Sequence, residues 1–319
     1  MRSDYEQIKE LFEGLVYVWA SRDTQALDNI LPGEIHCNMS IIPDDPQGGL
    51  HGINRLKAFF GQRQDTDYFD IQVCNYVGRV AGQEAAQSAA IVATAVRESE
   101  TFEACRFAGL FSNRLQKKDE QWMFSEIRLD ITHVEGDFAE LTGDWYMGKP
   151  QSGWYEGIHL PVVSGELDNP FRIVPVSESQ LTDEEMVLEA FYRYAFGIDT
   201  VSLDNAEAVL AEDVVVNMAP FGSMDKRTFL QTLKIQRMPD RHWIHPVQPE
   251  EVLIQGERAF VRLNRLMGHE ERHPALSPDN YRQKMACARY ELKLTKEDGD
   301  WRISRMDYLF GGFPVPEEN

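Results

Sequence analysis

The chain has 319 residues, 52 of them acidic and 32 basic, for a net charge of −20. With 43% hydrophobic and 26% charged residues it has a globular composition, long enough for two domains that each bury a core. The acidity, with no window that concentrates Lys and Arg among aromatics, argues against nucleic acid and anionic membranes as partners. No apolar stretch reaches the roughly 20 residues of a membrane span, and Met1 runs straight into a charged helix start without an export signal. Cys37, Cys74, Cys105 and Cys287 lack Cys-x-x-Cys spacing and read as reduced core thiols in a cytoplasm.

The first element is an amphipathic helix. Ser3 and Glu6 spell a capping box, and Ile8, Leu11, Phe12, Leu15, Val16 and Trp19 follow at helical spacing. A shorter helix is expected over 24–31, a strand over 35–41 and a third helix from near Ile53. Alternating apolar runs then predict strands over 72–80, 85–96, 102–115 and 122–131. Residues 139–180 fit neither pattern. They carry Trp145, Tyr146, Trp154 and Tyr155, too aromatic for a flexible linker, and are expected to form an ordered connecting segment.

The whole order then repeats. Thr182 and Glu185 form a second capping box, backed by Val187, Ala190, Phe191, Tyr194, Ala195 and Ile198. Helices are expected over 203–210 and from near Asp225, and strands over 214–219, 251–255, 258–267, 281–295 and 301–309. An offset of 179 residues relates Leu31 to Leu210, Asn38-Met39 to Asn217-Met218, and Trp122 to Trp301. In the middle the offset shortens to 171–174, as between Gly82 and Gly256, which loop insertions would produce. The expectation is an α+β protein of two tandem domains, 1–138 and 181–319. In each, three N-terminal helices pack on a curved antiparallel sheet.

The helix stripes, residues 23–27 through Leu31 with Glu34-Ile35, residues 203–210 with Glu212-Asp213-Val214, and Gly256-Glu257-Arg258-Ala259 together resemble the SnoaL-like branch of the nuclear transport factor 2-like superfamily. The resemblance implies cone-shaped domains, a sheet curled round the first helix to enclose an apolar cavity. It also implies dimerisation through the outer sheet face, which a tandem chain can make internally as a pseudo-dimer, with further self-association open. Members include cyclases, isomerases, dehydratases, dehydrochlorinases and proteins without catalysis, so fold does not select an activity.

In dehydrochlorinases and some dehydratases of that superfamily an Asp near the end of the first helix supports a His. The resemblance carries these roles to Asp199 and His245 in the second copy, with Arg241 and His242 near enough to leave the register open. Such a carboxylate fixes the imidazole tautomer and lets the other ring nitrogen take a proton near neutral pH. Tyr194 and Asn217 are the expected ligand contacts. The first copy has Ala20 and Ile71 at the matching positions, with Asp23 and His36 as weaker substitutes. An isomerase with an Asp base on the following strand is disfavoured, since Met39 and Met218 stand there.

Residues 269–273, His-Glu-Glu-Arg-His, spell a zinc-protease motif, but Gly268, Pro274 and Pro278 deny it the helix that would align both His. A solvated loop is expected, and no metal or cofactor. No Gly-rich phosphate loop and no Gly-x-Ser-x-Gly elbow occurs. Two readings remain: proton-transfer chemistry of a lyase or isomerase on a small apolar or aromatic molecule in the second domain, or a non-catalytic binding or assembly module. A cavity of about 300 Å³ or more would favour ligand chemistry.

Overall fold

The computed structural model describes residues 2–41, 50–51, 53–61, 66–137, 141–142, 162–237, 244–268 and 274–315. The described residues fall into two compact units: those up to 179 together with 276–281, and the remainder from 180. Trp145, Tyr146, Trp154, Tyr155, Arg241, His242 and the 269–273 motif lie outside the described residues.

In the first unit, α1 (Asp4–Ser21) buries Ile8, Phe12, Leu15, Val16 and Trp19. It is followed by a 3-10 turn (Thr24–Asn29), β1 (His36–Met39), β2 (Leu50–His51) and α2 (Ile53–Phe60). Four long strands complete it: β3 (Tyr68–Ala81), β4 (Glu84–Glu98), β5 (Phe102–Lys118) and β6 (Gln121–Gly136). A single helical turn, α3 (Pro170–Ile173), lies in the stretch before the second unit. That stretch is tied to β3, where Glu178 donates its backbone N–H to the Val80 carbonyl at 2.7 Å.

The second unit repeats the order with α4 (Asp183–Asp199), α5 (Leu203–Ala208), β7 (Leu210–Met218), β8 (Gly222–Met224) and α6 (Lys226–Arg237). Its remaining strands are β9 (Val247–Gln255), β10 (Arg258–Arg265), β11 (Met285–Glu297) and β12 (Asp300–Pro314). The sheets run β2-β1-β6-β5-β4-β3 and β8-β7-β12-β11-β10-β9, the same topology twice. Both are mixed rather than purely antiparallel, because β1 pairs parallel with β6 and β7 with β12. Each of those strands reaches its neighbour through a helix and four intervening strands, a connection long enough to free its direction from the hairpin rule. The residues 24–31 form a 3-10 turn in place of a second helix, as short connectors do.

Both capping boxes close. Glu6 N–H donates to Ser3 Oγ at 3.2 Å and Ser3 N–H to Glu6 Oε2 at 2.8 Å; the second box has 3.2 and 2.7 Å. Replacing Ser3 or Thr182 by alanine should cost about 1 kcal/mol each, read from the urea midpoint.

A second device also recurs. Trp122 Nε1 and Lys117 Nζ both donate to Asp4 Oδ1 at 2.9 Å; Trp301 Nε1 at 3.0 Å and Lys296 Nζ at 2.6 Å donate to Asp183 Oδ1. The hairpin tip is thereby hooked to the start of the long helix in each unit. The Trp122 bond, then Lys117, holds the Asp4 carboxyl below its usual range; Lys296, then Trp301, does so for Asp183. Depressed carboxyls stabilise the fold above their unfolded-state values and lose that contribution as pH falls through the folded ones. The urea midpoint should therefore fall between about pH 4 and pH 2. The Asp183→Asn variant should show a shallower fall there.

All four cysteines are buried and none is in a disulfide; burial pushes the Cys105 thiol up to about 12 and Cys37 higher still. No helix among the described residues is long and apolar enough to cross a membrane.

Candidate active site

Asp199 is the last residue of α4, and His245 stands two residues before β9. A carboxylate at a helix C-terminus works against the helix dipole, so it adds nothing to the helix itself. Here residue 245 binds it twice. Asp199 Oδ1 lies 2.5 Å from His245 Nδ1, and Asp199 Oδ2 accepts the His245 backbone N–H at 3.0 Å. The two side chains are only 5% and 7% exposed, so water does not compete for the pair. An ionised carboxylate can only accept, which places a proton on Nδ1 and the lone pair on Nε2.

His245 lines a cavity of about 150 Å³ whose wall is mostly aromatic and aliphatic. Tyr194 of α4, Met218 at the end of β7, Tyr290 of β11 and Tyr308 and Phe310 of β12 contribute to it. The volume is half the 300 Å³ expected of a cavity for ligand chemistry, and is of the size that takes a single benzene-like ring. Tyr290 is wholly buried, 4.7 Å ring to ring from Tyr308, and burial raises its phenol well above the usual range. It remains a neutral donor.

Arg265, the last residue of β10, also lines the cavity. It is 4% exposed, and its guanidinium donates from Nη1 to Tyr308 Oη at 2.9 Å and from Nη2 to the Ile244 carbonyl at 2.7 Å. Its Nε is buried with no hydrogen-bond partner among the described residues. Burial weighs against the charge, but the surroundings, Tyr308 foremost, outweigh it and the group stays a cation.

The structure thus places Tyr194 and His245 in the wall of one cavity, with Asp199 bonded to His245 but not itself among the lining residues. Asn217 is not among its lining residues. It pairs in register with Asp307 of β12, and its Nδ2 donates to Asp307 Oδ1 at 2.5 Å. Side chains alternate along β7, so the neighbouring Met218 reaches the cavity instead. His36, a weaker candidate in the first copy, faces Glu126 at 3.7 Å.

Sequence reasoning missed Arg265, Tyr290 and Tyr308, and a register comparison shows the signal that would have found them. Tyr290 pairs with Tyr308 as Phe111 pairs with Leu129, and Arg265 pairs with Ala288 as Ile91 pairs with Gly109. Tyr194, Asp199, His245, Arg265, Tyr290 and Tyr308 therefore correspond to Leu15, Ala20, Ile71, Ile91, Phe111 and Leu129. Each of these six groups has an apolar counterpart in the first unit. There, Trp19 occupies the interior, its ring centroid 5.8 Å from Phe60, 6.1 Å from Phe69, 6.2 Å from Phe107 and 6.3 Å from Phe111.

Among curated proteins none matches this sequence. Solved structures similar to parts of the chain include the Kfla4162 protein of Kribbella flavida, with 12% identity, 41% of this chain and 93% of that one covered, and a TM-score of 0.37. A hexachlorocyclohexane dehydrochlorinase, LinA-type3, of Novosphingobium barchaimii shows 12% identity over 41% and 88%, with a TM-score of 0.36. A nuclear transport factor 2-like superfamily protein of Salmonella enterica shows 15% identity over 39% and 88%, with a TM-score of 0.34. Residues 179–307 match the SnoaL-like domain family, and Asp199, His245 and Arg265 all fall inside that span. The cavity therefore sits in a SnoaL-like domain.

Proposed function

We propose that the second domain binds a small apolar or aromatic molecule in this cavity and moves a proton on it, in a reaction of the isomerase or lyase type. His245 acts as the base through Nε2, and Asp199 orients the ring and stabilises the imidazolium once the proton arrives. The observation that carries this reading is the buried 2.5 Å contact between Asp199 and His245 on the wall of an aromatic cavity. A His and Asp kept only for packing would gain more from an apolar pair of equal size, because burying the carboxylate costs desolvation. The ring-sized volume and the tyrosine lining support a substrate of one ring or a short chain.

We read the first copy as a second domain of the same family that has lost its cavity to Trp19 and serves assembly, with the pair forming an intramolecular pseudo-dimer. A non-catalytic reading suits that copy, since the positions of Tyr194, Asp199, His245, Arg265, Tyr290 and Tyr308 are apolar there.

Deuterium wash-in from D₂O tests the base. Single-ring carbon acids such as cyclohexanone are incubated with the protein and exchange at the acidic carbons is followed by NMR. Wild type should accelerate exchange and His245→Gln should not. Equal rates in wild type and variant would end the assignment.

A further inference from the structure

Arg265 is a permanent cation set into the wall of the cavity, yet its hydrogen-bond partners are a phenol and a backbone carbonyl, both neutral. Among the described residues no carboxylate pairs with it, and one of its donors, Nε, is buried with no acceptor there. A buried guanidinium normally meets a carboxylate, because leaving the charge uncompensated costs several kcal/mol. The equivalent position in the first unit is Ile91, fully buried in the core, so the strand needs no charge there to fold.

The charges of the cavity suggest what supplies the balance. At rest one carboxylate, Asp199, stands against one guanidinium, Arg265, with His245 neutral. When His245 takes a proton the site gains a positive charge, and the matching negative charge has to lie on the bound molecule. We propose that Arg265, with the Tyr308 hydroxyl it holds, is an oxyanion-binding pair, and that the cavity takes a compact single-ring or short-chain compound whose oxygen is anionic when bound. This rests on the proton-transfer reading of the same cavity and adds the ligand class to it.

For a ketone the step balances as follows. The C–H bond next to the carbonyl breaks and its proton goes to His245 Nε2. The electron pair of that bond becomes the new C=C bond, and the carbonyl π pair moves onto oxygen, facing Arg265. Return of the proton from the imidazolium to the same or a conjugated carbon restores the neutral His and the carbonyl. A donor already aligned and dried by burial stabilises such charge far better than water-exposed donors do. Tyr308 accepts from Arg265 Nη1, so its own hydroxyl proton is left to point toward an incoming oxygen.

The test uses binding alone and needs no turnover. The full chain is titrated with para-nitrophenol, which is yellow when ionised and colourless when neutral, over a range of pH. Wild type should bind the phenolate roughly 10- to 100-fold more tightly than the phenol, the worth of a hydrogen bond to a charged group. Yellow colour developing in the site below the free phenol's ionisation shows an oxyanion made on binding; tight binding only above it shows capture of a preformed anion. Both outcomes support the proposal.

Arg265→Met should abolish the preference and Arg265→Lys should keep part of it. Preference for the neutral phenol by wild type, or binding of neither form, overturns the proposal without reference to any variant's folding. Preference that survives Arg265→Met but vanishes in His245→Gln overturns it too, since the imidazolium would then hold the anion. Loss of deuterium exchange with intact phenolate selection would count against the base and leave the oxyanion site standing.

Discussion

Asp199→Asn is expected to abolish the accelerated exchange while leaving the fold intact. The variant keeps the volume and shape of the side chain, but its two ends are no longer alike. Residue 245 presents two donors to Asp199, its backbone N–H at 3.0 Å and its ring Nδ1 at 2.5 Å. An asparagine has one oxygen to accept and one amide to donate. The backbone N–H can only donate, so it keeps the oxygen and the amide turns to Nδ1. The ring must then accept at Nδ1 and carry its proton on Nε2, the wrong tautomer for a base aimed into the cavity. A loss of about 10²- to 10⁴-fold is expected in the rate of deuterium exchange. Thermal unfolding should shift little by comparison. A variant that exchanged at the wild-type rate would show that Nδ1 need not donate, and the assigned roles would fall.

Trp19→Ala is expected to bring the largest stability loss in the first unit. The indole is 2% exposed and meets Phe60, Phe69, Phe107 and Phe111 across the interior of the sheet. Removing it leaves a ring-sized void among side chains too bulky to collapse into it, at a cost of about 3–5 kcal/mol. With a urea m-value of about 1–3 kcal/mol/M, the corresponding transition should move by about 1 M or more. Indole added back should recover part of the loss by binding the folded state. A shift below about 0.5 kcal/mol would mean that the interior is not filled by this one side chain.

How much of this is legible without coordinates differs by level. The capping boxes, the helical stripes and the 179-residue echo are local or periodic, and periodicity survives whatever the tertiary packing does. They give two α+β units and the elements of each to within a few residues. The direction of β1 and β7 was misread because parallel pairing leaves no local mark; it depends on which end of the sheet the chain enters from. The short strands β2 and β8 are two and three residues long, below the length at which alternation can be seen.

The site divides along the same line. Asp199 and His245 could be matched to a family pattern, one at a helix end and one at the start of the sheet. Asn217 was expected to contact the ligand, and its amide bonds Asp307 on the adjacent strand. Which face of β7 looks inward depends on a register that one residue inverts. Arg265 lay within a predicted strand and carried no motif. Its place in the cavity emerges only when β10 is laid against β11 and the first unit's Ile91 is found in the same pairing.

The sequence alone determined that this chain builds one α+β plan twice, because caps and apolar periods are written residue by residue along the backbone. Only the tertiary structure decided that one interior is filled by Trp19 while the other gathers Asp199, His245, Arg265 and three tyrosines round a ring-sized space. Those groups are scattered over more than a hundred residues. Their convergence is a property of strand register and helix packing, which no local pattern encodes.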